Sequence, residues 1–360
     1  MVWRKLADEL PKEVNDIPID AAVITSEENC RYISGFKSSA RTVIVTRDIT
    51  YFLTDFRYGE AAQMHVKDCK VIVYRRLAKS VEEILKRHDV RGVLMEYEKL
   101  TLAQAGIYEE VCKACNITQI KDETLDTLLK ELRSIKNPEE LKQIQTAQSI
   151  TDAAFTHILN YIDDSKSERD IALEIEYFMK KQGAENIAFD LIVVSGANGS
   201  LCHGVPSDKK IQRGDFITMD IGAVVNGYHS DMTRTVAYGS VSDEKRQVYQ
   251  TVLQAQLAAI ETVKAGISCN IVDRAARDII DAKYPNTFGH TTGHGVGLEI
   301  HEWPYFAPSC QTITRYGMVL TVEPGIYLEG KFGVRIEDMV LIGEHGCENL
   351  TCSTKELLIL

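Results

Sequence analysis

The sequence predicts an α+β chain of two domains: a smaller N-terminal α/β domain over residues 1–130 and a larger C-terminal domain over residues 131–360. Three observations carry this expectation. The chain has 360 residues, more than one small core accommodates. Before residue 121, short β-branched runs alternate with helical patterns. Beyond residue 130, one pattern of glycines and acids occurs twice, which predicts two related halves.

The N-terminal elements follow from composition and period. Residues 20–26, 41–47, 49–55, 69–75 and 91–97 are short runs rich in β-branched and aromatic residues, and they read as strands. Residues 80–88 and 101–114 repeat apolar side chains every three to four positions and read as helices. Residues 121–137 are polar and charged and end in Asn137-Pro138, and the domain boundary is placed near residue 130. Pro138 followed by Glu139 and Glu140 is a good helix start, predicting helices over 138–162 and 168–182.

The echo in the C-terminal domain compares "RGDFITMDIG" (213–222) with "YGMVLTVEPG" (316–325). In both, a glycine is followed six residues later by a carboxylate, Gly214 by Asp220 and Gly317 by Glu323. Another glycine comes two residues after each acid. Upstream, Gly196 precedes His203 by seven residues and His294 precedes His301 by seven. Each half thus presents an acid on a strand.

Turn chemistry aims those acids. Asn226-Gly227 signals a two-residue hairpin turn, pairing Val225 with Tyr228 and Gly222 with Asp231. Asp220, Gly222 and Val224 then share a face with His229, Asp231 and Thr233, and Gly222 leaves room between the two acids. In the second half, Glu323 can oppose Glu337 if the turn around Glu329–Lys331 is a three-residue loop or carries a bulge; a two-residue turn would put Glu337 on the wrong face. Ionised acids aimed at one space repel unless one holds a proton or a cation sits between them. Four carboxylates and a histidine suit two divalent ions about 3.5–4 Å apart. Mostly oxygen ligands favour Mn2+ over a structural Zn2+, with Co2+ or Fe2+ not separable from sequence.

The bulk numbers exclude other classes. A hydrophobic share of 44% and a charged share of 26% are those of a globular protein. A net charge of −11 offers no basic footprint for nucleic acid. No run approaches the ~20 apolar residues of a membrane span. Residues 1–18 lack the apolar core of a signal peptide, and nine scattered cysteines suit a reducing cytoplasm. Cys112 and Cys115 form one C-x-x-C without a second pair, which reads as helix packing.

Four motifs in order carry a resemblance: "HGVPSDKKIQRGDFITMDIGAVVNGYHSDMTRTV", "GHTTGHGVGLEIHEWP", "EPGIY" and "GVRIEDMVL". Together they resemble the Xaa-Pro peptidases, prolidase and aminopeptidase P, of the pita-bread (creatinase/aminopeptidase) superfamily. "NCRYISGF" and "LTDFRYGEAA" resemble that family's N-terminal domain, so the likeness spans nearly the whole chain. It implies that Asp220, Asp231, His294, Glu323 and Glu337 hold two divalent ions, Mn2+ first and Co2+ second. Asp231 and Glu337 resemble the bridging ligands. His203, His290 and His301 resemble histidines that contact substrate and the tetrahedral intermediate, and Arg335 an arginine that braces the site. His229 departs from the family, which more often has cysteine there; it reads as a pocket-wall or tolerated polar residue, not a sixth ligand. Histidines 65, 88, 157 and 345 read as surface or core residues without acidic partners.

The implied reaction is hydrolysis of the Xaa-Pro bond of dipeptides or peptide N-termini by a metal-activated hydroxide. Glu323 would move the proton, and His203 and His301 would stabilise the oxyanion. Trp303, Tyr305 and Phe306 are candidate walls for the proline ring. The resemblance further implies short proline-containing peptides as partners and a second copy of the chain in a homodimer. In such a dimer the loop "TDFRYGE" (54–60) would either face the cleft or cap its own helix. Three alternatives stand: a methionine-aminopeptidase-like enzyme, a metal-free creatinase-type amidinohydrolase, and a binding protein on the same scaffold. The N-terminal domain, "EPG" and "VRIED" favour the Xaa-Pro branch. Dipeptidase and aminopeptidase P differ in loop shape, which the sequence leaves open.

Overall fold

The structure, a computed structural model, describes residues 2–360 and divides into two compact units, Met1–Arg133 and Ser134–Leu360. In the first unit, six strands lie in the order Lys70–Val73, Thr50–Thr54, Thr42–Thr46, Ala21–Ile24, Gly92–Met95 and Thr118–Ile120. The first five are the expected ones. Pairing is antiparallel in the middle and parallel at both sides. Thr42–Thr46 and Thr50–Thr54 are buried at every residue, which is why they read as continuous β-branched and aromatic runs.

The two expected helices are Leu77–Arg87 and Leu102–Cys115. Cys112 packs with Tyr108 and Val111, and burial pushes its thiol up to about 11, as suits a packing residue. Two features depart from expectation. Residues 121–137, given no element from sequence, hold the helix Thr124–Ser134, whose Leu125 and Leu129 are buried among its charges. Phe56–His65 is also a helix, broken in pattern by Gly59, where a Cβ would lie 2.8 Å from a Val73 methyl. Its cap is Asp55, which accepts the Arg57 N–H at 2.9 Å, so the "TDFRYGE" loop caps its own helix.

The second unit opens with helix Pro138–Ile158, capped reciprocally by Asn137 and Glu140, and helix Glu168–Lys181, capped by Ser167 and Asp170. The first ends four residues earlier than expected. His157 does have an acidic partner, Glu174 on the neighbouring helix at 2.7 Å, a contact invisible in the local sequence.

Two β-hairpins then follow one plan. In the first, Phe216–Ile221 pairs with Met232–Ala237 so that Asp220 faces Thr233. Its tip pairs Val225 with Tyr228, and Asn226 and Gly227 are both left-handed, as a two-residue turn of this kind requires. In the second, Val319–Val322 pairs with Asp338–Ile342 and Gly325–Leu328 with Phe332–Arg335. Leu328 faces Phe332, so the turn holds the three residues Glu329, Gly330 and Lys331. One register then runs from Val322↔Asp338 to Gly325↔Arg335, placing Glu323 opposite Glu337. The echo extends to the backbone. Gly214 and Gly317 are both left-handed, and their N–H groups donate to Tyr238 and Ile342 at 2.7 and 2.9 Å.

Alternation decides which side chains reach the site. Ile217, Met219 and Ile221 pack on the first helix pair. Leu320 and Val322 pack with helices Asp243–Thr262 and Cys269–Asp281. The opposite faces carry the acids. The C-terminal segment straps the first hairpin: Ala237 N–H donates to the Leu358 carbonyl, the Ala237 carbonyl accepts from Leu360 N–H, and Arg234 donates to the carbonyls of Ser353 and Thr354.

Candidate functional site

The two acid-bearing faces meet at a cavity of about 540 Å3 in the second unit. All nine residues singled out from sequence line it: His203, Asp220, Asp231, His290, His294, His301, Glu323, Arg335 and Glu337. Ligand atoms of Asp231, His294 and Glu337 lie within 4.8 Å of one another, the one such metal-holding group among the described residues. His294 Nε2 is 3.3 Å from Glu323 Oε1 and 3.5 Å from Asp231 Oδ2. Its Nδ1 lies 3.1 Å from the Gly295 carbonyl, which fixes the tautomer and leaves Nε2 toward the acids.

Three of the four acids are oriented by a hydrogen-bonding neighbour. Thr233 donates to Glu337 Oε2 at 2.7 Å, and Thr321 to Glu323 Oε1 at 3.2 Å. Arg335 reaches Asp220 Oδ2 at 2.6 Å, Thr233 at 3.0 Å and the Tyr327 hydroxyl at 2.7 Å. His290 Nδ1 lies 2.8 Å from the Thr291 carbonyl, so its Nε2 accepts from Tyr327 at 3.0 Å in the neutral ring. Thr233, Thr321 and Tyr327 drew no role from sequence. Thr233 follows Asp231 by two and Tyr327 follows Gly325 by two, so strand alternation already put them on the site face.

The electrostatics show what the cluster lacks. Four carboxylates converge on one arginine and one buried histidine. Burial, and then Glu337, Asp220 and Glu323, push the Asp231 carboxyl well above its usual range. Burial, then Glu323 and Asp220, do the same to Glu337. Burial opposes ionisation of Glu323 too, but His294 beside it wins and holds it at about 2. Asp220 Oδ1 and Glu337 Oε1 are buried without a hydrogen-bond partner. Orphaned buried carboxylate oxygens are costly, and cations with oxygen and imidazole ligands would satisfy both. The residues therefore fit a divalent metal centre.

The rim completes the picture. His203 and His301 are exposed to the cavity, and the His301 ring lies 4.4 Å from the His294 ring, edge to face. Burial and then the charge of His294 push the His301 imidazole below its ordinary range. Of the three aromatics expected to wall a pocket, Tyr305 alone lines the cavity. Phe306 is fully buried in the core of the second half, and Trp303 packs against that core. The sequence missed Phe189 and Leu191, from the segment before the first hairpin, and Ile300 beside His301, all of which line the cavity with apolar side chains. His229 is not among the lining residues. Its N–H donates to the Gly297 carbonyl at 2.8 Å, and Nδ1 lies 3.0 Å from the same oxygen.

Known proteins are similar to this chain in sequence and fold. Residues 142–344 match metallopeptidase family M24, and residues 7–135 match the Creatinase/Prolidase N-terminal domain. The chain is 39% identical to the Xaa-Pro dipeptidase of Pyrococcus horikoshii over 345 residues, covering 94% of this chain and 95% of that protein. It superposes on an Xaa-Pro dipeptidase from Bacillus anthracis with a TM-score of 0.91 and 39% identity, covering 100% and 98% of the two chains. An X-Pro aminopeptidase from Thermotoga maritima gives a TM-score of 0.88 at 34% identity, covering 95% and 98%. The two-unit α+β fold is thus the pita-bread fold with its N-terminal companion, and the chain belongs to metallopeptidase family M24.

Proposed function

We propose that this metallopeptidase hydrolyses the bond before proline in Xaa-Pro dipeptides, with two divalent ions, Mn2+ first, held by Asp220, Asp231, His294, Glu323 and Glu337. The observation that carries the proposal is the cluster of acids with two orphaned oxygens on the floor of a cavity with apolar walls. Bound ions would supply Lewis-acid polarisation of the scissile carbonyl and a water made acidic enough to attack at neutral pH. The residues do the rest. Phe189, Ile300 and Tyr305 offer apolar surface to the pyrrolidine ring. The proline nitrogen carries no N–H before cleavage and must gain a proton to leave. Glu323, ionised beside His294, accepts a proton from water and passes it to that nitrogen. His203 and His301 donate hydrogen bonds to the developing oxyanion, His301 as a neutral ring. His290 and Arg335, tied through Tyr327, hold the substrate side of the site.

Two of the three relatives above are named Xaa-Pro dipeptidases, which supports the dipeptide reading, and the third is named an X-Pro aminopeptidase. The expected result is release of proline from Xaa-Pro dipeptides that chelation abolishes and Mn2+ or Co2+ restores. Faster turnover of Xaa-Pro-Xaa and longer peptides would favour an aminopeptidase P instead. Full turnover in excess chelator after dialysis rejects the metal reading. We place the enzyme in the cytoplasm as a homodimer; a monodisperse monomer in light scattering overturns the latter.

A further inference from the structure

The segment 289–304 carries two acids, Glu299 and Glu302, that the reaction above does not use. Glu302 is buried, and so is its partner Lys136: their side chains are 5% and 1% exposed, with Nζ–Oε2 at 2.9 Å. A buried ion pair is seldom a net source of stability, so its placement asks for another reason.

Glu302 closes a loop. Its Oε1 accepts the Glu299 N–H at 3.2 Å, while Oε2 takes Lys136. Within the loop, Gly297 N–H donates to the Glu299 carbonyl at 3.0 Å. A Cβ on Gly297 would lie 2.6 Å from both Glu302 carboxylate oxygens, so a side chain there would displace the carboxylate from the loop. At its other end the loop is held by His229, through two contacts to the Gly297 carbonyl. Lys136 is itself fixed, its N–H donating to Gly317 at 2.9 Å where the second hairpin begins. The nearby acid Glu140 accepts from the Tyr228 hydroxyl and the Asn137 N–H, both at 2.9 Å. His301 stands between Ile300 and Glu302, exposed to the cavity, so its place follows from the backbone of this loop.

We infer that the Lys136–Glu302 pair is a positioning device for His301, clamping the loop 297–301 against the second hairpin so that the imidazole meets the reacting carbonyl. The inference rests on the reading of His301 as an oxyanion donor. Lys136 and Glu302 touch no substrate; they act through the loop.

The test uses the full-length Mn2+ enzyme and an Xaa-Pro dipeptide. Lys136→Met with Glu302→Gln removes both charges at nearly constant volume. The expected result is unchanged metal content, KM within about twofold, and kcat down at least about tenfold, since small misplacements of a catalytic group cost up to ~10²-fold. Amide hydrogen exchange across 297–301 rises in the same protein. Lys136→Arg, which keeps the charge, recovers most of the turnover. In a His301→Ala background the paired substitution has little further effect on kcat, because groups acting through one another are not additive. Additive losses, or wild-type kcat in the paired variant while His301→Ala is impaired, overturn the inference. If the paired variant does not fold, Glu302→Gln alone decides by the same readings. Undiminished turnover in His301→Ala instead sinks the donor reading, and the exchange data then report separately whether the pair holds the loop.

Discussion

In the first hairpin Thr233 stands opposite Asp220, and in the second Glu337 stands opposite Glu323. One step toward the tip, the registers place Asp231 opposite Gly222 and Arg335 opposite Gly325. The equivalent pairs are therefore Thr233 with Glu337, and Asp231 with Arg335. The first pair is hydrogen-bonded at 2.7 Å. The second pair carries opposite charges, and Arg335 reaches across to Asp220. Backbone register dictates where four positions point, and single residues at those positions then decide between ligand and brace. Two identical hairpins would aim matching ligand sets at one space; an arginine and a threonine in place of two acids hold the rest in position.

The largest effect should come from removing one acid of each hairpin. Asp231→Asn and Glu337→Gln should each lose metal and turnover together. A variant that stayed fully metallated and active would mean that one hairpin alone holds the ions. The histidines should separate next. His294→Ala is expected to lower metal content. His203→Ala and His301→Ala should keep the metal and lose about 10²–10³ in kcat, as for an oxyanion donor. Equal metal loss in all three would erase the distinction between ligand and donor.

The glycines give a smaller contrast. A Cβ at Gly222 would lie 2.1 Å from the Ser230 carbonyl, a backbone atom, whereas at Gly325 it would meet the Tyr327 hydroxyl at 2.6 Å, the far end of a side chain. Gly222→Ala should therefore cost more unfolding free energy in urea than Gly325→Ala, about 1–3 kcal/mol being usual for overpacking. The reverse order would show that the second hairpin is the stiffer one. The smallest effect concerns pH. Burial raises Asp231 and Glu337, and His294 is also raised although burial opposes it, because Glu323 lies beside it. Groups that bind protons more firmly when folded stabilise the fold at low pH and lose that contribution as pH climbs through their folded values. Glu323, held at about 2, acts only below the ordinary carboxylate range. The chelated protein should thus lose Tm from about pH 5 to about pH 8, and Mn2+ should remove that slope. A Tm that rises over this range in chelator would contradict the assigned directions.

The site was legible because two local signals sufficed. Asn226-Gly227 fixed one register, and the demand that Glu323 face Glu337 left the other turn a three-residue loop or a bulge, of which the structure has the former. What stayed hidden depended on distant partners. Period alone could not send Phe306 to the core and Tyr305 to the cavity, because both lie on one short strand whose neighbours come from elsewhere. Helix Thr124–Ser134 hid because Leu125 and Leu129 sit among charges such as Asp126, which is buried by accepting the Tyr97 and Glu98 N–H groups. Lys136 was unreadable as a partner of Glu302, 166 positions away.

The strap formed by residues 353–360 also bears on biosynthesis. Arg234 grips both that strap and Asp338, the neighbour of Glu337, and Lys355 adds a second cation to Asp338 at 2.6 Å. All five proposed ligands leave the ribosome before Ser353 does. A nascent chain thus carries every metal-binding side chain for some time without the brace that sets Glu337. Metal loading should follow completion of the strap, and a chain ended at residue 345 should take up less Mn2+ than the full chain at equal concentration. Equal uptake by the two would show that the hairpins hold Glu337 without it.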